Sequence, residues 1–255
     1  MGKRALILGG TKGLGLSLAW EAHRREILST ITGRSANDQK VIETFPPQSV
    51  AMALDFTDYK SADSFRLFES PDFYTSYDYI FWVAGAFLRE PFMYISPPSI
   101  ERMTWTHFMG PLIALRALHI RHAYILEHQH LSYHLITIAS TSSWRTRENE
   151  AIYCALKAAK ATFTRNFARE LVRDLPGSKV TLVNPGGMKT PNFWKESGQD
   201  TSNFMNSDVV AKIIWDEVQN QQARFKELQI MRDEDGSPNL SYGPRIPELP
   251  FDEEV

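Results

Sequence analysis

Residues 4–15 read Arg4-Ala5-Leu6-Ile7-Leu8-Gly9-Gly10-Thr11-Lys12-Gly13-Leu14-Gly15, and the chain continues as LSLAWEAHRR over 16–25. A short aliphatic run opens directly onto glycines, and the glycines open onto a segment of helical period. Glycines at a strand-to-helix turn let the backbone fold tightly and approach a pyrophosphate, whose charge is met by the free N–H groups at the helix N-terminus. The spacing is G-x-x-x-G-x-G, which differs from the commonest dinucleotide fingerprint, G-x-G-x-x-G. Its place immediately after the first strand gives the pattern its weight.

The same rhythm carries on along the chain. Runs rich in β-branched or aliphatic residues at 4–8, 26–32, 49–54, 77–83, 134–140 and 179–183 alternate with helical patterns at 13–25, 58–69, 101–127, 150–174 and 207–222. A final possible strand lies at 228–231. Strands that are nearly continuous apolar runs suit a parallel sheet covered on both faces. The expectation is therefore a doubly wound α/β domain over 1–232, with a parallel sheet of about seven strands and helices on both sides. Residues 233–255 read as a Pro-rich acidic tail, either frayed or ordered against a neighbouring subunit.

At 255 residues the chain suffices for one large core, and 23% charged residues with a formal net charge of −2 point away from nucleic acid and membrane surfaces. A small-molecule partner is expected. The sole cysteine, Cys154, excludes an intrachain disulfide and suits a reducing compartment, and its place in a helical stretch reads as packing rather than nucleophilic. The opening MGKRALILGG is too short an apolar run for a signal peptide, and Leu6 stands where a myristoylation signal requires Ser or Thr. The longest apolar stretch, YIFWVAGAFL, falls short of the roughly 18 residues that span a bilayer. A soluble, cytoplasmic protein is predicted.

The end of the second strand bears on the cofactor. An acid there takes the ribose 2′-hydroxyl of NAD, whereas cations there take the 2′-phosphate of NADP. The chain has Gly33, Arg34 and Ser35, with Lys12 in the glycine turn, so NADP(H) is favoured over NAD(H). Arg34 also has the plainer reading of an exposed loop arginine. Further on, Tyr153 and Lys157 are four apart on one helix face. A cation beside a phenol favours the phenolate, making Tyr153 an expected acid or base near neutral pH. Ser140, 13 residues upstream at a strand end, adds a hydroxyl where parallel sheets build ligand sites.

The ordered set Gly9-x-x-x-Gly13-x-Gly15, Asp55, Ala84-Gly85, Ser140, Tyr153-x-x-x-Lys157 and Pro185-Gly186-x-x-x-Thr190 resembles the short-chain dehydrogenase/reductase family over about residues 1–230. The resemblance implies a single Rossmann-type domain, a nicotinamide cofactor and carbonyl–alcohol redox chemistry. It implies that Tyr153 is the general acid, that Lys157 holds the nicotinamide ribose and tunes Tyr153, and that Ser140 holds the substrate oxygen. It places Gly9, Thr11, Lys12, Gly13, Leu14, Gly15, Arg34, Ser35, Asp55, Phe56, Ala84, Gly85, Pro185, Gly186, Met188 and Thr190 around the cofactor, together with Tyr153 and Lys157. A homodimer or homotetramer is expected through the helices at 101–127 and 150–174, where Phe163 and Phe167 look available for an interface.

Two departures stand out. Trp82-Val83-Ala84-Gly85 replaces the family's Asn-Asn-Ala-Gly, keeping the close-approach residues and losing both amides. His107, in THFMG, takes the position of the family's helix Asn, which supports a water leading from the lysine. A histidine can donate, accept and titrate near neutrality, so His107 is a candidate site-lining or relay residue facing Lys157, or a space filler.

The segment at about 191–207 takes the place of the variable substrate loop. Phe193, Trp194, Phe204 and Met205, with Trp144, read as an apolar lining for a small hydrophobic ketone or aldehyde, or as a loop packed on its own aromatics. Histidines 119, 122, 128, 130 and 134 lack partners for a metal, and no metal site is expected. Two other functions use the same residues: a dehydratase or isomerase with bound cofactor, and a cofactor-sensing binding protein without turnover.

Overall fold

Alternate side chains of the first strand enter different cores. In β1 (Arg4–Leu8), Ala5 and Ile7 pack on one side while Leu6 and Leu8 pack on the other. β4 (Tyr79–Trp82) repeats the pattern, with Tyr79 and Phe81 opposed to Ile80 and Trp82. Period-two alternation with both faces apolar is the signature of a sheet sandwiched between helices. The computed structural model describes residues 2–57, 76–125, 131–190, 193–194 and 197–243. The helical pattern expected at 58–69, the last residues of the 101–127 pattern, His128, His130 and the tail beyond 243 lie outside them.

The other strands are β2 (Leu28–Gly33), β3 (Val50–Ala53), β5 (His134–Ile138), β6 (Lys179–Pro185), β9 (Phe225–Arg232) and β10 (Pro238–Tyr242). They form one eight-stranded sheet in the order β10-β9-β6-β5-β4-β1-β2-β3. Seven strands run parallel, in agreement with the expected doubly wound sheet, and β10 adds an antiparallel edge. The chain order reverses between β1 and β4, which opens a crevice beyond their carboxyl ends.

Helix α1 (Gly13–Arg24) covers one face, where Leu14 and Leu18 meet Trp215 and Ile214, while the four-residue α2 (Gln39–Ile42) lies between β2 and β3. The opposite face carries α3 (Pro97–Thr104), a π-helical turn over Trp105–Met109, α4 (Gly110–Ile120), a second π-helical segment over Arg121–Ile125, and the long α5 (Ala151–Asp174). Ser96 starts α3 by accepting from the Ser99 N–H at 3.3 Å, with Pro97 and Pro98 supplying the fixed φ of a first turn. Asn206 caps α6 (Ser207–Asn220) through the Asp208 N–H at 2.7 Å.

Phe163 and Phe167 stack on each other at 5.3 Å, and Phe163 packs on Trp82 at 5.8 Å, so both contribute to this chain's own core. One expectation is corrected here. Residues 238–242 form a strand rather than a tail. The turn Asp233–Ser237, closed by Gly236 at φ 83° and a 2.9 Å bond from the Asp233 N–H to the Ser237 carbonyl, folds them back on β9. Pro and acids gave this stretch the composition of a tail, while the Asp-Gly turn set its structure. A two-residue ribbon, β7 (Met188–Lys189) with β8 (Met205–Asn206), ties the base of the 191–207 loop.

Candidate active site

The crevice at the sheet reversal is a cleft of about 760 Å³ lined from the ends of β1, β2, β4, β5 and β6. Gly9 and Gly15 are there because nothing larger fits. A Cβ on Gly9, whose φ is 90°, would lie 2.7 Å from the Ala84 backbone, and one on Gly15 would lie 2.3 Å from the Gly9 carbonyl oxygen. Lys12, at the start of α1, provides no side-chain cap, which leaves the first-turn N–H groups aimed at the cleft. Thr11, Gly13, Leu14, Ala84, Gly85, Pro185, Gly186, Met188 and Thr190 line the same space.

Exposed Lys12 and Arg34 border the cleft, whereas Ser35 lies outside its lining. Asp55, on the wall beside Phe56, accepts from the Thr57 N–H at 2.9 Å and its hydroxyl at 2.8 Å. Gly33 and Arg34 thus leave the end of β2 without a carboxylate of its own. The close backbone approach, the uncapped helix start and the two cations fit a phosphate-rich dinucleotide.

Ser140 ends the β5 segment, while Tyr153 and Lys157 rise from the first two turns of α5, and all three line the cleft. Tyr153 is 5% exposed, and its phenol lies beside Ser140. Burial raises its phenol well above the usual tyrosine range, only partly offset by Ser140. This corrects the expectation that Lys157 makes it acidic. The Lys157 ammonium lies 5.7 Å from the Tyr153 ring centroid and donates instead to the Ile138 and Ala139 carbonyls, at 3.3 and 2.9 Å. Burial pushes Lys157 itself down to about 7.

Beneath this surface lies a polar layer in which His107 is fully buried, inside the π turn, and absent from the cleft lining. Its Nε2 is 2.8 Å from the Ala86 nitrogen and 2.6 Å from the Ala86 oxygen, while its ring meets Tyr153 edge-on at 5.6 Å. A Cβ on Gly85 would come within 3.0 Å of the imidazole. His107 therefore supports the wall from behind and makes no hydrogen bond to Lys157. Burial, reinforced by Lys157 and Lys160, holds it neutral.

Lys160 was not singled out from the sequence, although it stands seven residues after Tyr153 and so shares its helix face. It is fully buried, donates to the Ala84 carbonyl at 3.2 Å and lies 4.7 Å above the Trp82 ring. A lysine amine thus lies under the end of β4. The Trp82 Nε1 and His107 Nδ1 atoms have no hydrogen-bond partner.

Burial depresses Lys157 and Lys160 below the 10.5 of an unfolded lysine. The unfolded chain then binds more protons, so stability rises with pH from about 7 toward 10 and falls again on acidification through that window. Each proton contributes at most about 1.4 kcal/mol per pH unit. Thermal unfolding of the ligand-free protein should show a rising Tm between pH 7 and 9.5. Lys160→Met should flatten that rise, and an equal slope in the variant would refute the linkage.

On the far side of Tyr153, Phe87 packs against it at 5.0 Å and against Trp194 at 4.6 Å. Phe193, Trp194 and Phe204 line this wall as expected. Trp144 does not: it is 47% exposed and points away from the lining, because a short 3₁₀ turn at Thr141–Ser143 turns the chain after Ser140. Met205 is fully buried in the core under β8 and also leaves the lining. Phe87, Arg89, Arg145, Arg147 and Glu150 join the wall without having been expected: the first four come from irregular segments with no periodic signal, and Glu150 precedes the first turn of α5. No group of three metal-ligating side chains occurs among the described residues, and no helix among them is long and apolar enough to cross a membrane.

Comparison with known proteins agrees with this geometry. The family model for short chain dehydrogenase matches residues 3–201. An uncharacterised oxidoreductase of Staphylococcus aureus (strain N315) is 24% identical over 230 residues, covering 89% of this chain and 96% of the relative. A sorbitol dehydrogenase of Cereibacter sphaeroides is 30% identical over 189 residues, covering 72% and 70%. Among solved structures, the 3-ketoacyl-(acyl-carrier-protein) reductase of Brucella melitensis complexed with NADH superposes with a TM-score of 0.74, at 20% identity over 92% of this chain and 98% of that one.

Proposed function

Because the chain belongs to the short-chain dehydrogenase/reductase family, we propose that it is an NADPH-dependent oxidoreductase that reduces a carbonyl to an alcohol, or runs the reverse reaction. The observation that carries this reading is the meeting of Ser140, Tyr153 and Lys157 on one cleft whose other end has two cations and an uncapped helix start.

When bound, the cofactor supplies the hydride. The chain's part is to hold the carbonyl and move a proton. Tyr153, kept protonated by burial, donates its proton to the carbonyl oxygen, and Ser140 steadies that oxygen with a hydrogen bond. A phenol that is a donor at neutral pH favours reduction over oxidation there. Lys157, one helical turn from Tyr153 and pushed down to about 7 by burial, holds the ribose side. Phe87, Phe193 and Trp194 exclude water and accept an apolar substrate body.

The test is direct. Purified protein should oxidise NADPH with members of an aldehyde and ketone panel, and should bind NADPH more tightly than NADH. Tight cofactor binding with no turnover across a broad panel would replace the reductase by a sensor. For the cofactor, Lys12→Ala with Arg34→Ala should weaken NADPH binding roughly 10²- to 10⁴-fold, from about 1.5–3 kcal/mol per charge-assisted contact, and leave NADH little affected. Equal losses for both cofactors, read by fluorescence titration, would sink the 2′-phosphate assignment.

A further inference from the structure

Lys12 and Arg34 account for one basic patch, at the glycine turn and the end of β2. A second lies elsewhere on the cleft: Arg89 follows β4, Arg145 and Arg147 follow β5, and Arg232 ends β9. The acids on that side are Glu90 and Glu150. Four arginines against two carboxylates leave an excess of positive charge beside Tyr153, and the pairing between them is poor. Arg147 reaches Glu150 only at 4.0 Å, and Arg89 acts on that carboxylate electrostatically without an ion pair. Arg145 makes a 3.9 Å contact to the Met231 sulfur, while Arg232 donates to the Asn203 carbonyl at 3.0 Å and lies on the Phe204 ring at 4.8 Å.

Exposed guanidinium groups that are at most weakly paired with a carboxylate, gathered along one cleft, attract anions and bind them in forked geometry. Phe87, Phe193 and Trp194 line the same cleft. We propose that the substrate is an amphipathic carbonyl compound, with an apolar body against the aromatic wall and an anionic group, carboxylate or phosphate, held by Arg145 and Arg147 with Arg89 beside them. This rests on the reductase reading for the reaction, and goes beyond it in assigning a second anion site to a different part of the cleft. It also revises the purely hydrophobic substrate expected from the loop sequence.

The experiment uses matched pairs with the NADPH-loaded full chain. A 4-phenyl-2-oxobutanoate is compared with its ethyl ester, and glyceraldehyde 3-phosphate with glyceraldehyde, which separates carboxylate from phosphate. The charged member of at least one pair should have a kcat/KM at least tenfold above its neutral partner, with the advantage shrinking as salt rises. Arg145→Met with Arg147→Met should collapse that ratio by tenfold or more, chiefly through KM. Neutral members turned over as well as charged ones, with both falling together in the variant, would overturn the proposal while leaving the reductase reading intact.

If no carbonyl is reduced, the reductase reading fails and the anion site is still tested. Calorimetric titration of the NADP-loaded protein with 4-phenyl-2-oxobutanoate and with glyceraldehyde 3-phosphate should show binding by at least one that the arginine variant loses. Absence of binding by both overturns the site as well.

Discussion

Tyr153→Phe is expected to lower kcat for carbonyl reduction by about 10²- to 10⁴-fold, the range spanned by general acid–base catalysis. The substitution removes one oxygen from a ring packed between Phe87 at 5.0 Å and His107 at 5.6 Å, so those aromatic contacts remain. It deletes the phenol hydroxyl beside Ser140, and with it the group that donates the proton in the proposed reaction. NADPH affinity should change by less than threefold, because the glycine turn and the two cations lie at the other end. The pH profile gives a second check. Since burial raises the phenol above 10, the wild-type rate of reduction should not decline through loss of that proton below pH 10. A variant that keeps more than a tenth of wild-type kcat would remove Tyr153 from the proton-donating role.

Gly15→Ala is the second large effect, and it acts through backbone. The added Cβ would sit 2.3 Å from the Gly9 oxygen and 2.8 Å from the Gly10 Cα, with no flexible side chain able to yield. Relief requires α1 to move away from the turn, and Leu14 and Leu18 of that helix are in the core. Overpacking of this kind costs about 1–3 kcal/mol or more, which for a chain of this size corresponds to a Tm lowered by roughly 2–10 °C. Because the same movement displaces the uncapped N–H groups, NADPH binding should weaken at least tenfold. Gly186→Ala is the contrast, since its nearest neighbour would lie at an ordinary 3.7 Å, and its Tm should fall by no more than about 2 °C. Equal Tm values for Gly15→Ala and wild type would show that the turn is looser than its contacts imply.

The buried polar layer braces the strand end beneath the cleft. Trp82 fills the core there, and its indole nitrogen has no hydrogen-bond partner. Lys160 then donates to Ala84 from below, and His107 bonds Ala86 from behind, so the same strand end is held by two different groups. Burial lowers the proton affinity of both, which reduces the cost of placing them in a dry core.

Much of this architecture was legible from local pattern. Continuous apolar runs gave the seven parallel strands, because a sheet covered on both faces leaves no position for polar alternation. The glycine spacing gave the turn, because only a missing Cβ allows Gly9 to meet Ala84 and Gly15 to meet Gly9. Tyr153 and Lys157 were visible because helical period alone puts them on one face. What lies between elements was not legible. Sequence distance carries no information on how Arg89, Arg145, Arg147 and Arg232, from three separate segments, come to share one cleft. Nor could it show that Lys157 turns to two carbonyls rather than to the phenol, or that Trp144 points outward. Local sequence determined the sheet, the cofactor turn and the Tyr-Lys pair, since backbone sterics and side-chain period are short-range. Tertiary packing decided the proton affinities, the layer under the site and the charge at its mouth, since burial and electrostatic neighbours exist only once distant segments meet.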